Sequence, residues 1–168
     1  VINNNGGNSS AEDWNLTASG VGPTFTDTGD STLFHTVKAG VEYTLTESIV
    51  AGYNPKGWIC NGNDLSSNKI TLGLGDSMTC TITNDDISPQ LNVIKEIVPT
   101  TDSGKFNLSI GGTQYATNIG HTGSTGFQNV VAGAVNFNET AGDNTSLSNY
   151  TTTYSQGCEN GQTTLSVG

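Results

Sequence analysis

One segment of this chain occurs twice, and that recurrence limits its possible folds more than any other feature. Val37-Lys38-Ala39-Gly40-Val41-Glu42-Tyr43-Thr44-Leu45-Thr46-Glu47 returns as Val130-Val131-Ala132-Gly133-Ala134-Val135-Asn136-Phe137-Asn138-Glu139. Upstream, Trp14-Asn15-Leu16 matches Phe106-Asn107-Leu108. Downstream, Cys60-Asn61-Gly62 matches Cys158-Glu159-Asn160-Gly161, and Thr71-Leu72-Gly73 matches Thr164-Leu165-Ser166. A period of roughly 90 residues is too long for a solenoid and suits tandem copies of a small all-β domain. Two Ig-like β-sandwich domains are expected, over residues 1–88 and 89–168.

The copies are out of phase with the chain. Repeat two opens on an alternating strand, Leu91 to Val98, of which repeat one retains little beyond Val1-Ile2. Repeat one closes on Thr79-Cys80-Thr81-Ile82-Thr83-Asn84, for which repeat two has no counterpart. The first domain is thus expected to lack its first strand and the second its last. Sheet edges left open in this way invite a strand from elsewhere. Asn84-Asp85-Asp86-Ile87-Ser88-Pro89 reads as a short junction stiffened by Pro89.

The three cysteines follow the repeat. Cys60 and Cys80 flank a hairpin region, and Cys158 aligns with Cys60, so its counterpart would lie outside this chain. One intradomain disulfide per repeat fits that pattern, set against three unrelated buried thiols. A bridge closing a loop of about 20 residues contributes roughly 3 kcal/mol in the chain-entropy picture. That is a large term for a small core, and it implies an oxidising, extracytoplasmic location. The net charge of −10, with five Lys and no Arg, disfavours nucleic acid and anionic membranes as partners. No apolar run is long enough to span a bilayer as a helix.

In the repeated segment, Val41, Tyr43, Leu45 and Glu47 share one strand face, as do Val135, Phe137 and Glu139. If the apolar residues face the core, both glutamates point inward at the strand end. An inward carboxylate needs a physical reason.

Tyr43-Thr44-Leu45-Thr46-Glu47, Ala51-Gly52-Tyr53, Cys80-Thr81-Ile82-Thr83-Asn84 and the following strand Leu91-Asn92-Val93-Ile94-Lys95 appear in an order that resembles surface repeats of the prealbumin-like fold. These are the SpaA-like or collagen-adhesin B-type domains of bacterial and archaeal cell-surface and pilus proteins. The resemblance implies a β-sandwich of roughly seven strands in each repeat. In some members a Lys on the first strand attacks an Asn or Asp on the last, assisted by a buried Glu, to form an isopeptide bond. What the resemblance implies for this chain is Lys95 as nucleophile, Glu47 and Glu139 as proton shuttles and Asn84 as acceptor. Neither repeat holds all three.

Sequons begin at Asn8, Asn15, Asn107, Asn138, Asn144 and Asn149, a count near chance for a chain this rich in Asn, Ser and Thr. By strand parity Asn15, Asn107 and Asn138 are expected to face outward, as candidates for N-glycosylation. The acid pairs Asp27 with Asp30, Asp85 with Asp86, and Asp143 with Asn144 lack the spacing of a calcium loop, and read as solvated loop charge. His35 and His121 do not sit at metal-ligand spacing to any Cys. No metal, cofactor or catalytic residue is expected. Tyr53 and Trp58, near a turn, remain as a candidate ligand surface.

The reading is a non-enzymatic structural repeat of an extracellular stalk or filament. It would extend and present a protease-resistant surface, with neighbouring repeats or identical subunits as partners and glycans as attachments. Head-to-tail assembly by strand complementation is the expected mode. The alternative is an adhesin or carbohydrate-binding module using loop aromatics.

Overall fold

The computed structural model describes residues 1–168. The chain divides into two compact all-β units, Val1–Ile87 and Ser88–Val167. In the first unit a 3-10 turn at Ala11–Asp13 precedes seven strands. These are β1 (Asn15–Gly20), β2 (Phe25–Thr28), β3 (Glu42–Glu47), β4 (Tyr53–Cys60), β5 (Asn63–Asp64), β6 (Lys69–Thr71) and β7 (Cys80–Asp86). They form two antiparallel sheets, ordered β2-β1-β3-β6 and β5-β4-β7.

The alternation of β3 turns Tyr43 and Leu45 inward, where they meet Ala18 of the same sheet and Trp58 and Cys60 of the other. Tyr43 is almost wholly enclosed, at 1% exposure. On the second sheet Tyr53 and Trp58 are both buried although they differ in strand parity. The register of β4 against β7 slips between Pro55 and Trp58, and Gly57 sits there at φ +104°. One extra residue on β4 resets which side chains face in. Pro55, which has no N–H for a ladder, lies at the same irregularity.

Two details of this unit depart from expectation. Asn84, Asp85 and Asp86 are the closing residues of β7, not part of a junction loop. Their alternation continues the strand, with Asn84 and Asp86 buried at 4% each. The residues before β1 are also not idle. Ile2 bridges Asp85 in parallel, donating its N–H to Asn84 O (2.8 Å) and accepting from Asp86 N (3.0 Å).

The second unit contains β8 (Gln90–Leu91), β9 (Phe106–Ile110), β10 (Thr113–Ile119), β11 (Gln128–Asn129), β12 (Gly133–Ala141) and β13 (Gln162–Leu165). Its main sheet is ordered β10-β9-β12-β13, and β8 pairs with β11. Gly111 and Gly112, both at positive φ, close the two-residue β9–β10 hairpin, where the strand twist demands that conformation. Phe106, Leu108 and Ile110 supply the buried face.

The strand expected from Leu91 to Val98 is interrupted. Beyond β8 it continues only as a bridge between Ile94 and Ser124. The Thr125 hydroxyl accepts the Val93 N–H (2.9 Å), a side chain standing in for ladder backbone. Ile97 N donates to His121 Nδ1 (3.0 Å) in the same manner.

The main sheets of the two units share strand order and register. Leu16 faces Glu47 across β1 and β3, and Leu108 faces Glu139 across β9 and β12. Glu42 faces Thr71 as Ala134 faces Thr164.

Candidate functional site: two carboxylate centres

The two inward glutamates meet different polar partners, and Glu139 also accepts from the Thr152 hydroxyl (3.0 Å). In the first unit Asn84 Nδ2 donates to Glu47 Oε2 at 2.9 Å, tying the end of β3 to β7 of the opposite sheet. In the second, Lys95 Nζ pairs with Glu139 Oε2 at 2.8 Å. Both side chains of that pair are largely enclosed, at 13% and 14% exposure. The Lys95 ammonium also lies 4.0 Å from the centroid of the Phe106 ring, within cation–π range. Both glutamates are partly rather than fully buried, and their partners supply the physical reason for their inward aim.

The structure thus brings Asn84 to Glu47 and Lys95 to Glu139. Lys95 and Asn84 belong to different units, so the lysine and the asparagine implied by the resemblance sit at different centres. In the first unit Asn3, in the sequence Val1-Ile2-Asn3, stands where Val93-Ile94-Lys95 has its lysine. Asn3 Oδ1 accepts from the Tyr53 hydroxyl (2.7 Å).

Around Glu47 and Asn84 lies a cavity of about 530 Å³, whose walls include Trp14, Tyr53, Lys56 and Trp58. Tyr53 and Trp58 are therefore not an open platform. They are 9% and 5% exposed, because the Gly57 bulge turns both inward. Lys56 pairs with Asp85 Oδ2 (2.7 Å), whereas Asp85 Oδ1 is buried without a hydrogen-bond partner.

Asp86 is the residue that sequence reasoning missed. Its carboxylate accepts from the backbone N–H groups of Asn4 (3.1 Å), Asn5 (2.9 Å) and Gly7 (2.7 Å) and from the Asn5 side chain (3.1 Å). Burial pushes the Asp86 carboxyl up, but the amides of Gly7, Asn5 and Asn4 with the Asn5 side chain outweigh it. The net shift is below the ordinary carboxylate value. The partners lie some eighty positions away in sequence, so no local motif announces them. Asp85 and Asp86 are accordingly strand residues with assigned partners, not solvated loop charge.

The second unit has a smaller clamp. The Gly104 amide and the Tyr150 hydroxyl both donate to Asp102 Oδ1 (2.7 and 2.8 Å), holding its pKa below the usual range. Asp102 in turn pushes the Tyr150 phenol up. His35 pairs with Asp27 and stacks on Phe25 (4.2 Å). No three His, Cys, Asp or Glu side chains gather as a metal-binding group.

The disulfide joins Cys60 to Cys80 across β4 and β7, where the two residues face each other in register. Cys158 is a free, partly buried thiol. Among the sequons, Asn8, Asn15, Asn138, Asn144 and Asn149 are exposed. Asn107 departs from its expected outward freedom. Its Nδ2 donates to Ala141 O (2.9 Å) and its Oδ1 accepts from Asn118 N (2.8 Å), so the amide stitches β9 to both neighbours.

Two-layered antiparallel packing, a disulfide between neighbouring strands of one sheet, a buried asparagine tying that sheet to the other, and polar side chains spent on scaffolding define the class as a structural β-sandwich module. Residues 1–82, nearly the whole of the first unit, match the SpaA_2 family model, described as a prealbumin-like fold domain. Such domains are surface and pilus-type structural domains. The intramolecular disulfide fits an extracellular protein, and no helix is long and apolar enough to cross a membrane. No curated protein and no solved structure matches the chain.

Proposed function

We propose that the chain is a tandem segment of an extracellular stalk or filament, in which two copies of one sandwich module extend a surface structure and resist proteolysis. The observation that carries this reading is the shared register of the two main sheets, each placing a glutamate opposite the same leucine. A module repeated in register, with its polar side chains used as cross-ties, is suited to bearing load rather than to turnover. The exposed sequon residues Asn8, Asn15, Asn138, Asn144 and Asn149 give glycans room to attach.

The second unit supports assembly by strand complementation. Residues 151–157 are exposed and lie in no strand, whereas the matching part of the first unit, β4, is covered by β7. A strand carrying the β7 pattern of Cys followed four residues later by Asn would place its thiol toward Cys158 and its amide toward Lys95 and Glu139.

The test adds a peptide of the sequence Thr79–Ile87 to the protein in a thiol-exchange buffer. A mixed disulfide at Cys158, formed far faster than with a scrambled peptide of the same composition, supports the reading. Equal rates for the two peptides reject strand complementation. The stalk itself is tested by imaging the natural material, and a surface fibre containing this chain is the expected result.

A further inference from the structure

We propose that the cavity of the first unit binds a primary alkylammonium group, with Glu47 as its counter-ion and the Trp14 indole as its wall. The argument is a comparison of the molecule with itself. In the second unit the glutamate of the repeated segment, Glu139, holds an ammonium at 2.8 Å, and that ammonium lies over the ring of Phe106. Glu47 occupies the position of Glu139 in the sheet register, and Trp14 is the sequence counterpart of Phe106. In the first unit these two residues line a cavity of about 530 Å³. That volume exceeds what the end of a lysine side chain needs, within the range of small-ligand sites.

The chain's own residues do not bring an ammonium to Glu47. Asn3 stands in place of the lysine, with its side chain bonded to Tyr53 and to Ser9 O. Lys56 lines the same cavity but is paired with Asp85 at 2.7 Å and is 55% exposed. Asn84 uses one amide hydrogen on Glu47 Oε2. A carboxylate has acceptor capacity for several donors, so Glu47 can take an ammonium alongside that bond.

Charge favours the same ligand. The first unit carries three lysines against ten acidic residues, a formal −7 for residues 1–87. Tryptophan is the strongest aromatic partner for a cation, ahead of the phenylalanine that serves in the second unit. The inference rests on the cavity and on the internal repeat, not on the stalk reading.

The chain has two tryptophans, Trp14 and Trp58, and both line this cavity, so intrinsic fluorescence reports on it directly. The experiment titrates the whole chain with n-butylammonium, with n-butanol as the neutral isostere and sodium chloride as the ionic-strength control. A saturable change with the amine alone, weakened about tenfold in Glu47→Gln, is expected for one lost charge-assisted bond. The same response to n-butanol, no saturable response to the amine, or undiminished binding in a folded Glu47→Gln overturns the proposal. The butanol comparison uses the unaltered protein and stays decisive if the variant does not fold. A lysine-bearing peptide binding tighter than its Nε-acetylated form assigns the ammonium to a protein side chain. Equal weak binding of both peptides, with n-butylammonium still saturating, assigns it to a free amine.

Discussion

Reducing the Cys60–Cys80 bridge removes a constraint whose size follows from the chain it closes. The two residues are 20 positions apart, and closing a loop of that length lowers the entropy of the unfolded chain by a term worth about 3 kcal/mol at 25 °C. The folded side changes little, since the thiols would still face each other across β4 and β7. For a unit of this size a guanidinium m-value of about 2 kcal/mol/M is expected, so the midpoint should fall by about 1.5 M on reduction. Trp14 and Trp58 are both in the first unit, and their fluorescence follows its unfolding without contribution from the second. Guanidinium titrations with and without reductant, read at the tryptophans, give the shift. A fall of less than about 0.3 M would refute the argument, because it would mean the unfolded first unit is no freer without the bridge.

Asp86→Asn should loosen the segment before β1, because the carboxylate collects the Asn4, Asn5 and Gly7 amides; limited proteolysis at pH 7 should then cut within residues 3–9 of the variant first. The pKa of Asp86 is lowered from its ordinary 3.8, so its stabilising contribution is present above that value and lost as pH falls through the folded pKa. An acid titration of stability should accordingly be flatter below about pH 4 in Asp86→Asn than in the unaltered chain. Asn107→Ala strands the Asn118 N–H and the Ala141 carbonyl, and should cost the second unit about 1–2 kcal/mol in thermal or chemical denaturation. Gly57→Ala meets no neighbour within 4 Å, but the φ of +104° disfavours any Cβ. A loss of about 1–3 kcal/mol in the first unit is expected from backbone strain alone.

Much of the scaffold is legible in the sequence because it is local or repeated. The alternation of Tyr43, Leu45 and Glu47 gives β3 and its inward face, and the second copy gives β12 in the same way. Cysteine placement gives the bridge. What escaped is set by single residues acting over distance. The burial of Tyr53 and Trp58 depends on a bulge at Gly57 that inverts strand parity, and a lone glycine does not reveal whether it marks a bulge or a turn. The engagement of Asn107 depends on Asn118 taking a positive φ on the neighbouring strand. The interruption after Leu91 depends on the Thr125 hydroxyl competing with backbone for the Val93 N–H. The Asp86 clamp joins residues at the two ends of the first unit in sequence, where no local pattern carries information.

Force spectroscopy on the chain pulled between its termini tests the central claim, that two copies of a load-bearing module stand in series. The account predicts two unfolding events under oxidising conditions. On reduction the increment of one event should grow by about 70 Å, since the bridge shields 20 residues at up to 3.6 Å each. One event spanning the whole chain, or extension at low force with no distinct event, would contradict it.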